Sequence, residues 1–357
     1  MAHLASDLVQ KMNAVANHEP IPVIVRRKSG FFSAQAVLPS TAAIDQSFNL
    51  FPAEALKMTA ADIEAVSKSE AVEQIWLDLP VHTCLNVSVP KIAAPRVWDA
   101  GLRGTGIRLA IVDTGIDDTH PDFAGRIRAM KSFVDNTPKD ENGHGSHVAG
   151  IAAGSGAKSG GKFVGVAPEA DLYIAKVLDA DGSGSMSGVM AGIEWAVLEQ
   201  KAQVINLSLG GPGPCDGTDA LSSLCNEAVQ QMGVVICAAA GNAGPGASTV
   251  GSPGCAQFVI TIGAVDDADR MASFSSRGPT SDGRVKPDIV FPGVNISAPQ
   301  AAGTQLGPVV QEGYISISGT SMATPHASGV AVLMLQTNPD LNPGQVKQLM
   351  MDSALNL

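Results

Sequence analysis

A serine, two histidines and an aspartate stand in settings where acyl transfer could be built. Ser321 lies in Ser318-Gly-Thr-Ser-Met-Ala-Thr-Pro-His326, followed by the apolar residues Ala327, Val330, Ala331, Val332, Leu333, Met334 and Leu335. The pattern predicts a buried helix with Ser321 in its first turn. Pro325 fits only near such a start, where a missing N–H costs nothing. A hydroxyl there meets the positive end of the helix dipole and free N–H groups, which favour developing negative charge. The same serine could serve as no more than a helix cap. A hydroxyl is a poor nucleophile near neutrality, so the catalytic reading needs a base and a group that orients it. Upstream, Arg108-Leu-Ala-Ile-Val-Asp113 reads as an apolar strand ending in Asp113. Asn142-Gly-His-Gly-Ser-His-Val-Ala-Gly150 sets His144 and His147 at the start of a small-residue helix. Residue types alone leave the base open between these two. Asp113 could also bond its own turn, a role for which Asp117, close behind Gly115, is better placed.

Two more stretches, Ile205-Asn-Leu-Ser-Leu-Gly-Gly211 and Ala238-Ala-Ala-Gly-Asn242, complete a set of motifs with chain order Asp, His, Ser. Together they resemble the subtilisin family of serine proteases, the subtilases, from about Asn86 nearly to the end. Leu85-Asn-Val-Ser-Val-Pro90, Ser273-Phe-Ser-Ser-Arg-Gly-Pro279 and Lys286-Pro-Asp-Ile289 are most similar to the AprX-like group, often described as intracellular alkaline proteases. The resemblance implies a serine endopeptidase with Ser321 as nucleophile, His144 as base and Asp113 as its orienting carboxylate. Asn242 would offer its amide to the oxyanion together with the Ser321 N–H. His147 becomes a buried helix histidine, and His82, His120 and His326 receive no role. Gly182, Ser183 and Gly184, with Ser208, Leu209 and Gly210, resemble the two edge segments that pair with an extended substrate. Glycine there lets a second backbone approach closely. Gly210, Ala239 and Gly241 would line an uncharged first pocket, and Met186, Val189 and Leu209 an outer apolar one. This implies broad cleavage after apolar or large residues.

The chemistry implied requires no cofactor. Many subtilases hold calcium in the loop after the histidine helix, but here residues 155–162 contain two lysines and no acid. That site is expected to be absent, leaving Asp122 as a surface residue. Asp288 aligns with a second family calcium position, completed by carbonyls near Gln257 and Val259. Ser146 stands where threonine is commoner. The chain stops at Leu357, short of the final strand and helix usual in the family, which would leave apolar surface uncovered.

These side chains need a scaffold. Strands near 107–112, 172–178, 203–209, 233–239 and 258–264 alternate with helices near 144–154, 186–200, 218–232 and 321–336. The alternation predicts an α/β fold with a parallel sheet flanked by helices, subtilisin-like, whose active residues gather at the carboxyl edge. Residues 1–85 read as a small α+β domain ahead of it. The first twenty show little pattern and are expected to be flexible. Strands follow over 21–27, 47–52 and 72–78, with a helix over 59–68 that Thr59 caps and Asp62 supports. This module resembles the subtilase propeptide, a folding chaperone and intramolecular inhibitor. Pro80 favours extended backbone, so residues 78–85 could lie in the cleft as an added strand. The resemblance puts self-cleavage between Leu85 and Asn86, giving a propeptide over 1–85 and a catalytic domain over 86–357.

Composition bounds the rest. The 357 residues carry a formal charge of -11, and the densest basic cluster is Arg26-Arg-Lys28, which argues against a nucleic-acid partner. No apolar run is long enough to span a bilayer. The opening residues lack a signal peptide's charged start and apolar core, which favours an intracellular protein, or a secreted one whose signal has been removed. The cysteines, Cys84, Cys215, Cys225, Cys237 and Cys255, show no zinc spacing. Cys237 sits in an apolar run as a core thiol. Cys215 and Cys225 are near enough to pair, though spacing does not fix connectivity. The partners expected are protein or peptide substrates and the chain's own N-terminal module. The competing reading is a binding or regulatory protein on the same scaffold, held inert by that module; the full set of chemical residues argues against it.

Overall fold

The computed structural model describes residues 3–4, 6–16, 18–28, 38–39, 44–48, 53–77 and 85–357. The chain divides into two compact units, Met1–His82 and Thr83–Leu357.

In the first unit, five strands form a mixed sheet in the order β1-β5-β2-β4-β3. They are β1 (His3–Leu4), β2 (Ile21–Arg27), β3 (Ile44–Phe48), β4 (Ala53–Met58) and β5 (Val72–Leu77). Alternation on β2 buries Ile21, Val23 and Val25, which pack with Leu56, Ile63, Val66 and Ile75. Helix α2 (Ala60–Ser67) starts where Thr59 and Asp62 cap it: Asp62 N–H donates to Thr59 Oγ1 at 3.2 Å and Thr59 N–H to Asp62 Oδ2 at 3.4 Å. One expectation is corrected. The opening residues include a helix, α1 (Ser6–Ala14), whose Leu8 is fully buried in the core of this unit. Residues 49–52, most of the second expected strand, and residues 78–84 lie outside the described residues.

In the second unit, residues along β6 (Arg108–Asp113) alternate between two cores. Leu109 and Ile111 join one cluster, Ala110 and Val112 the other. Such a strand is covered on both faces, which is the setting of parallel sheets. Seven strands run in the order β12-β11-β10-β9-β6-β8-β7, every pairing parallel. The others are β7 (Ile127–Ser132), β8 (Asp171–Lys176), β9 (Val204–Leu207), β10 (Val235–Ala239), β11 (Ile260–Val265) and β12 (Ile289–Pro292). Helices α5 (His144–Ala153) and α8 (Thr320–Thr337) contribute to the first core, α6 (Met186–Glu194) and α7 (Ala220–Met232) to the second. Helix α8 is buried around most of its girth, as a helix apolar on every side must be. Short helices α3 (Leu85–Lys91) and α4 (Ala94–Trp98) precede β6, a small antiparallel sheet of β13 (Ile296–Pro299), β14 (Val309–Gln311) and β15 (Tyr314–Ile317) precedes α8, and α9 (Pro343–Asp352) follows it. Asp113 ends β6, His144 opens α5, Ser208 follows β9 and Ser321 is in the first turn of α8. In a parallel sheet these are all carboxyl-edge positions.

Candidate active site

Asp113 is fully buried, and its Oδ1 accepts from Thr114 N–H at 2.8 Å and from His144 Nδ1 at 2.7 Å. With Nδ1 donating, Nε2 is left as the basic nitrogen of the ring. Burial opposes the His144 cation, but the charge and hydrogen bond of Asp113, with help from Asp140, outweigh it, so its pKa is raised above the ordinary imidazole value. His147 is a different object. Its Nε2 faces the Ile296 and Ile315 carbonyls at 3.0 and 3.3 Å, tying α5 to the small sheet. Burial, and then the nearby His144, push its pKa down to about 3.

Asp140 is a buried carboxylate beside the site that reading the sequence missed. Its Oδ1 accepts from Thr114 Oγ1 at 2.8 Å and Gly143 N–H at 2.7 Å, and its Oδ2 from Ser146 N–H at 2.8 Å. One buried carboxylate thus caps the first turn of α5 and fastens it to the end of β6. An acid just ahead of a helix start is the signal that could have found it. Lys176 was also missed. It stands opposite Asp113 in the β6–β8 register, with a fully buried side chain bridged to Asp135 at 2.7 Å and Glu141 at 3.0 Å.

Ser321 is held from two directions. Pro325 cannot donate to the Ser321 carbonyl, which an unbroken helix would require. The Ser208 hydroxyl fills that vacancy, donating to Ser321 O at 2.8 Å, and Asn206 Nδ2 supports Ser208 Oγ at 2.9 Å. In return the Ser321 hydroxyl donates to the Ser208 carbonyl at 3.0 Å. Asn242 is fixed by its acceptor end: Oδ1 takes Thr320 N–H at 2.9 Å and Thr320 Oγ1 at 3.0 Å. Its Nδ2 remains the donor end of the amide, and Asn242 and Ser321 line the same pocket.

A pocket of about 330 Å³ opens beside Ser321, lined by Leu209, Gly210, Ala239, Gly241 and Asn242 among others, with no charged side chain. Gly182, Ser183, Gly184 and Met186 are exposed and stand apart from this lining. Gly182 needs its glycine for a φ of +77°, and it lies in a turn closed by Asp179 N–H donating to Ser183 O at 2.8 Å. The outer pocket expectation is corrected at Val189, which is buried in the second core. Met186 is half exposed at the start of α6.

Two other expectations change. Asp122 is fully buried, not superficial, because Tyr314 Oη donates to it at 2.9 Å and Lys158 N–H at 3.0 Å. Cys215 pairs with Cys255, leaving Cys225 and Cys237 as buried thiols. Cys225 is the wrong partner because it faces inward from α7 into the second core.

At Asp288, ammonium groups stand where a cation would. Lys286 Nζ reaches Oδ2 at 2.7 Å and Lys347 Nζ reaches Oδ1 at 2.8 Å. Both also donate to the Val259 carbonyl, at 3.2 and 3.0 Å. Calcium takes six to eight oxygens, and here the carboxylate and carbonyl are already engaged with two positive charges, so the side chains as placed do not fit it. Among the described residues no group of three His, Cys, Asp or Glu side chains could hold a metal. Excess chelator is therefore expected to leave both hydrolysis and the melting temperature unchanged. A drop of more than about 5 °C, restored by calcium, would show that an ion stabilises the fold.

The family model described as "Subtilase family" matches residues 104–357. The chain belongs to the subtilase family. Serine protease AprX of Bacillus subtilis (strain 168) is 37% identical over 94% of this subtilase and 83% of its own length. An alkaline protease of Alkalihalobacillus alcalophilus is 38% identical over 87% and 76%, and subtilisin E of Bacillus subtilis (strain 168) 36% over 88% and 78%. Among solved structures, a cold adapted subtilisin-like serine proteinase matches with a TM-score of 0.59 and 36% identity, covering 71% of this subtilase and 84% of that chain. The subtilase is accordingly a serine endopeptidase that hydrolyses peptide bonds. No helix among its described residues is long and apolar enough to cross a membrane.

Proposed function

We propose that Ser321 attacks the scissile carbonyl, with His144 as general base, Asp113 orienting it, and Asn242 and the Ser321 N–H binding the oxyanion. The observation that carries this reading is the 2.7 Å bond from His144 Nδ1 to the buried Asp113, which leaves Nε2 as a base of raised affinity for protons. For reaction the Ser321 hydroxyl turns from the Ser208 carbonyl to Nε2, which takes its proton as the oxygen bonds to carbon. The carbonyl oxygen becomes an anion between Asn242 Nδ2 and the Ser321 N–H. His144 then gives the proton to the leaving amine, and water repeats the sequence on the acyl-enzyme. Asp113 stays ionised throughout and stabilises the imidazolium.

The uncharged pocket supports a preference for apolar or large residues before the scissile bond. Gly182–Gly184 and Ser208–Gly210 would hold the substrate backbone as an added strand. The first unit would act as propeptide and intramolecular inhibitor, and self-cleavage between Leu85 and Asn86 would leave residues 1–85 bound as a product-like inhibitor. In this structure both residues open helix α3. Cleavage then requires that first turn to unwind, since a substrate is cut in extended form.

The test is mass analysis of the purified protein with a phosphonyl reagent. Matured wild type is expected to begin at Asn86, give or take a few trimmed residues, and to carry label on Ser321, while Ser321→Ala stays whole. Maturation of Ser321→Ala without help, or label elsewhere, would refute the assignment. The pH profile gives a second check. Because the His144 pKa is raised, the rise of kcat/KM with pH is expected to be centred above the ordinary ~6.5 of imidazole. A midpoint below that value contradicts the role given to Asp113.

A further inference from the structure

The pocket beside Ser321 has few side chains to set its width. One wall runs through Leu209, Gly210 and Gly211, the facing wall through Thr249, Gly251 and Ser252. Where the walls meet, backbone lies on backbone. Gly211 N–H donates to the Ser252 carbonyl at 2.8 Å, and a side chain at Gly251 would strike the Gly211 carbonyl. A Cβ on Gly213 would come within 2.5 Å of the Val250 carbonyl. Each wall then runs directly into one half of a disulfide, Cys215 just beyond Gly213 and Cys255 just beyond Ser252. Cys255 is fully buried and packs with Val250 and with Ala240, itself part of the pocket lining, while Cys215 rests half-buried against them. Cys255 N–H also donates to the Gly251 carbonyl at 3.0 Å.

We infer that the Cys215–Cys255 disulfide is a specificity determinant, holding the two pocket walls at the separation that accepts a large apolar side chain. The inference rests on the proposed use of this pocket for the residue before the scissile bond. Reduction removes the covalent limit on their separation and leaves the walls to hydrogen bonds: Gly211 N–H to the Ser252 carbonyl, Ser252 Oγ to Asp219 at 2.7 Å, and the exposed-side bridge of Arg284, which donates to the Cys255 carbonyl at 2.8 Å and the Asp216 carbonyl at 2.6 Å. A thiolate of an added dithiol attacks Cys215 Sγ, the more accessible sulfur, and Cys255 leaves as a thiolate that takes a proton. The second thiol of the reductant then closes on the mixed disulfide, frees Cys215 and leaves as a cyclic disulfide. The protein gains two electrons and two protons, and the reductant loses them. Cys225 and Cys237 stay out of the exchange, because burial pushes each thiol up to about 12 and neither supplies thiolate near neutrality.

The test compares full-length protein carrying Cys84→Ser in three forms: oxidised, reduced with dithiothreitol, and with Cys215→Ser and Cys255→Ser. The substrates are peptide anilides that differ only in phenylalanine, leucine or alanine before the bond cut. Loss of the disulfide is expected to raise KM for phenylalanine about tenfold, to leave kcat within about twofold, and to leave the alanine substrate nearly unaffected. A readout without turnover is calorimetric binding of a product peptide ending in phenylalanine to the matured enzyme, which should weaken about tenfold on reduction. Unchanged KM values, or a parallel loss for phenylalanine and alanine with altered circular dichroism, overturn the inference. If the oxidised enzyme cuts no anilide, the reading of Ser321 fails, while the binding comparison still decides the role of the disulfide.

Discussion

Replacing His144 with alanine is expected to lower kcat by a factor of the order of 10⁶, the size of loss known for the base of a serine-protease triad. Replacing His147 is expected to leave kcat nearly intact below the melting temperature. The two rings lie on the same helix, yet their partners differ in kind. His144 meets a buried carboxylate at 2.7 Å, whereas His147 meets two backbone carbonyls. The carboxylate favours a proton on His144, whereas burial, which the two carbonyls only partly offset, keeps His147 neutral. His147→Ala removes a hydrogen bond and leaves a cavity, at a cost of about 2–4 kcal/mol. Steady-state kinetics and thermal melts on both variants decide the matter. Activity surviving in His144→Ala and vanishing in a folded His147→Ala would move the base.

Acidification from pH 7 to pH 5 should lower the melting temperature by roughly 10 °C. Burial holds His147 and His326 neutral, with pKa values pushed down to about 3 and about 4. The unfolded chain takes up protons at these histidines from ~6.5 downward, while the folded chain resists. Stability is therefore complete above pH ~6.5 and falls as pH drops, through about 4 for His326 and about 3 for His147. Each unit of pH moves the balance by ~1.4 kcal/mol per histidine. His144, with its raised pKa, works the other way and offsets part of the loss. His326 is the cleaner probe because it lies away from the base. Its Nδ1 donates to the Met322 carbonyl at 2.9 Å, so its Nε2 accepts from Ser88 Oγ at 2.8 Å. His326→Gln should flatten the pH dependence by about half. A wild-type melting temperature that does not move between pH 7 and 5 would count against this account, as would an unchanged slope in the variant.

Local chemistry was legible wherever it is local. The Thr59–Asp62 cap, the Asp113 strand end and the start of α8 follow from neighbouring residues, and the structure has them. Two edges of the large sheet were not legible. Strand β7 alternates weakly, with no residue fully buried, and β12 is short and follows Pro287, so neither shows a strong period. The base could not be told from His147 by residue type, since the difference lies in Asp113 and the Ile296 carbonyl, both distant in sequence. The burial of Asp122 depends on Tyr314, and the Cys215–Cys255 pairing on a fold that returns after α7 and β10. The clamp of Ser208 on Ser321 was hidden for the same reason, and the expectation that the missing Pro325 N–H costs nothing is corrected, since Pro325 lies past the first turn and leaves the Ser321 carbonyl to the Ser208 hydroxyl.

The two lysines at Asp288 have a thermodynamic meaning. An ion drawn from solution stabilises a protein in proportion to the logarithm of its free concentration, so dilution weakens it. Lys286 and Lys347 are tethered to the chain, and a tethered group has an effective concentration that dilution cannot change. Lys347 rides on α9, so this joint fastens the last helix to the edge of the sheet without reference to the medium. Dialysis leaves the joint closed. What opens it is withdrawal of α9 or loss of charge on Lys286, whose pKa burial lowers to about 8.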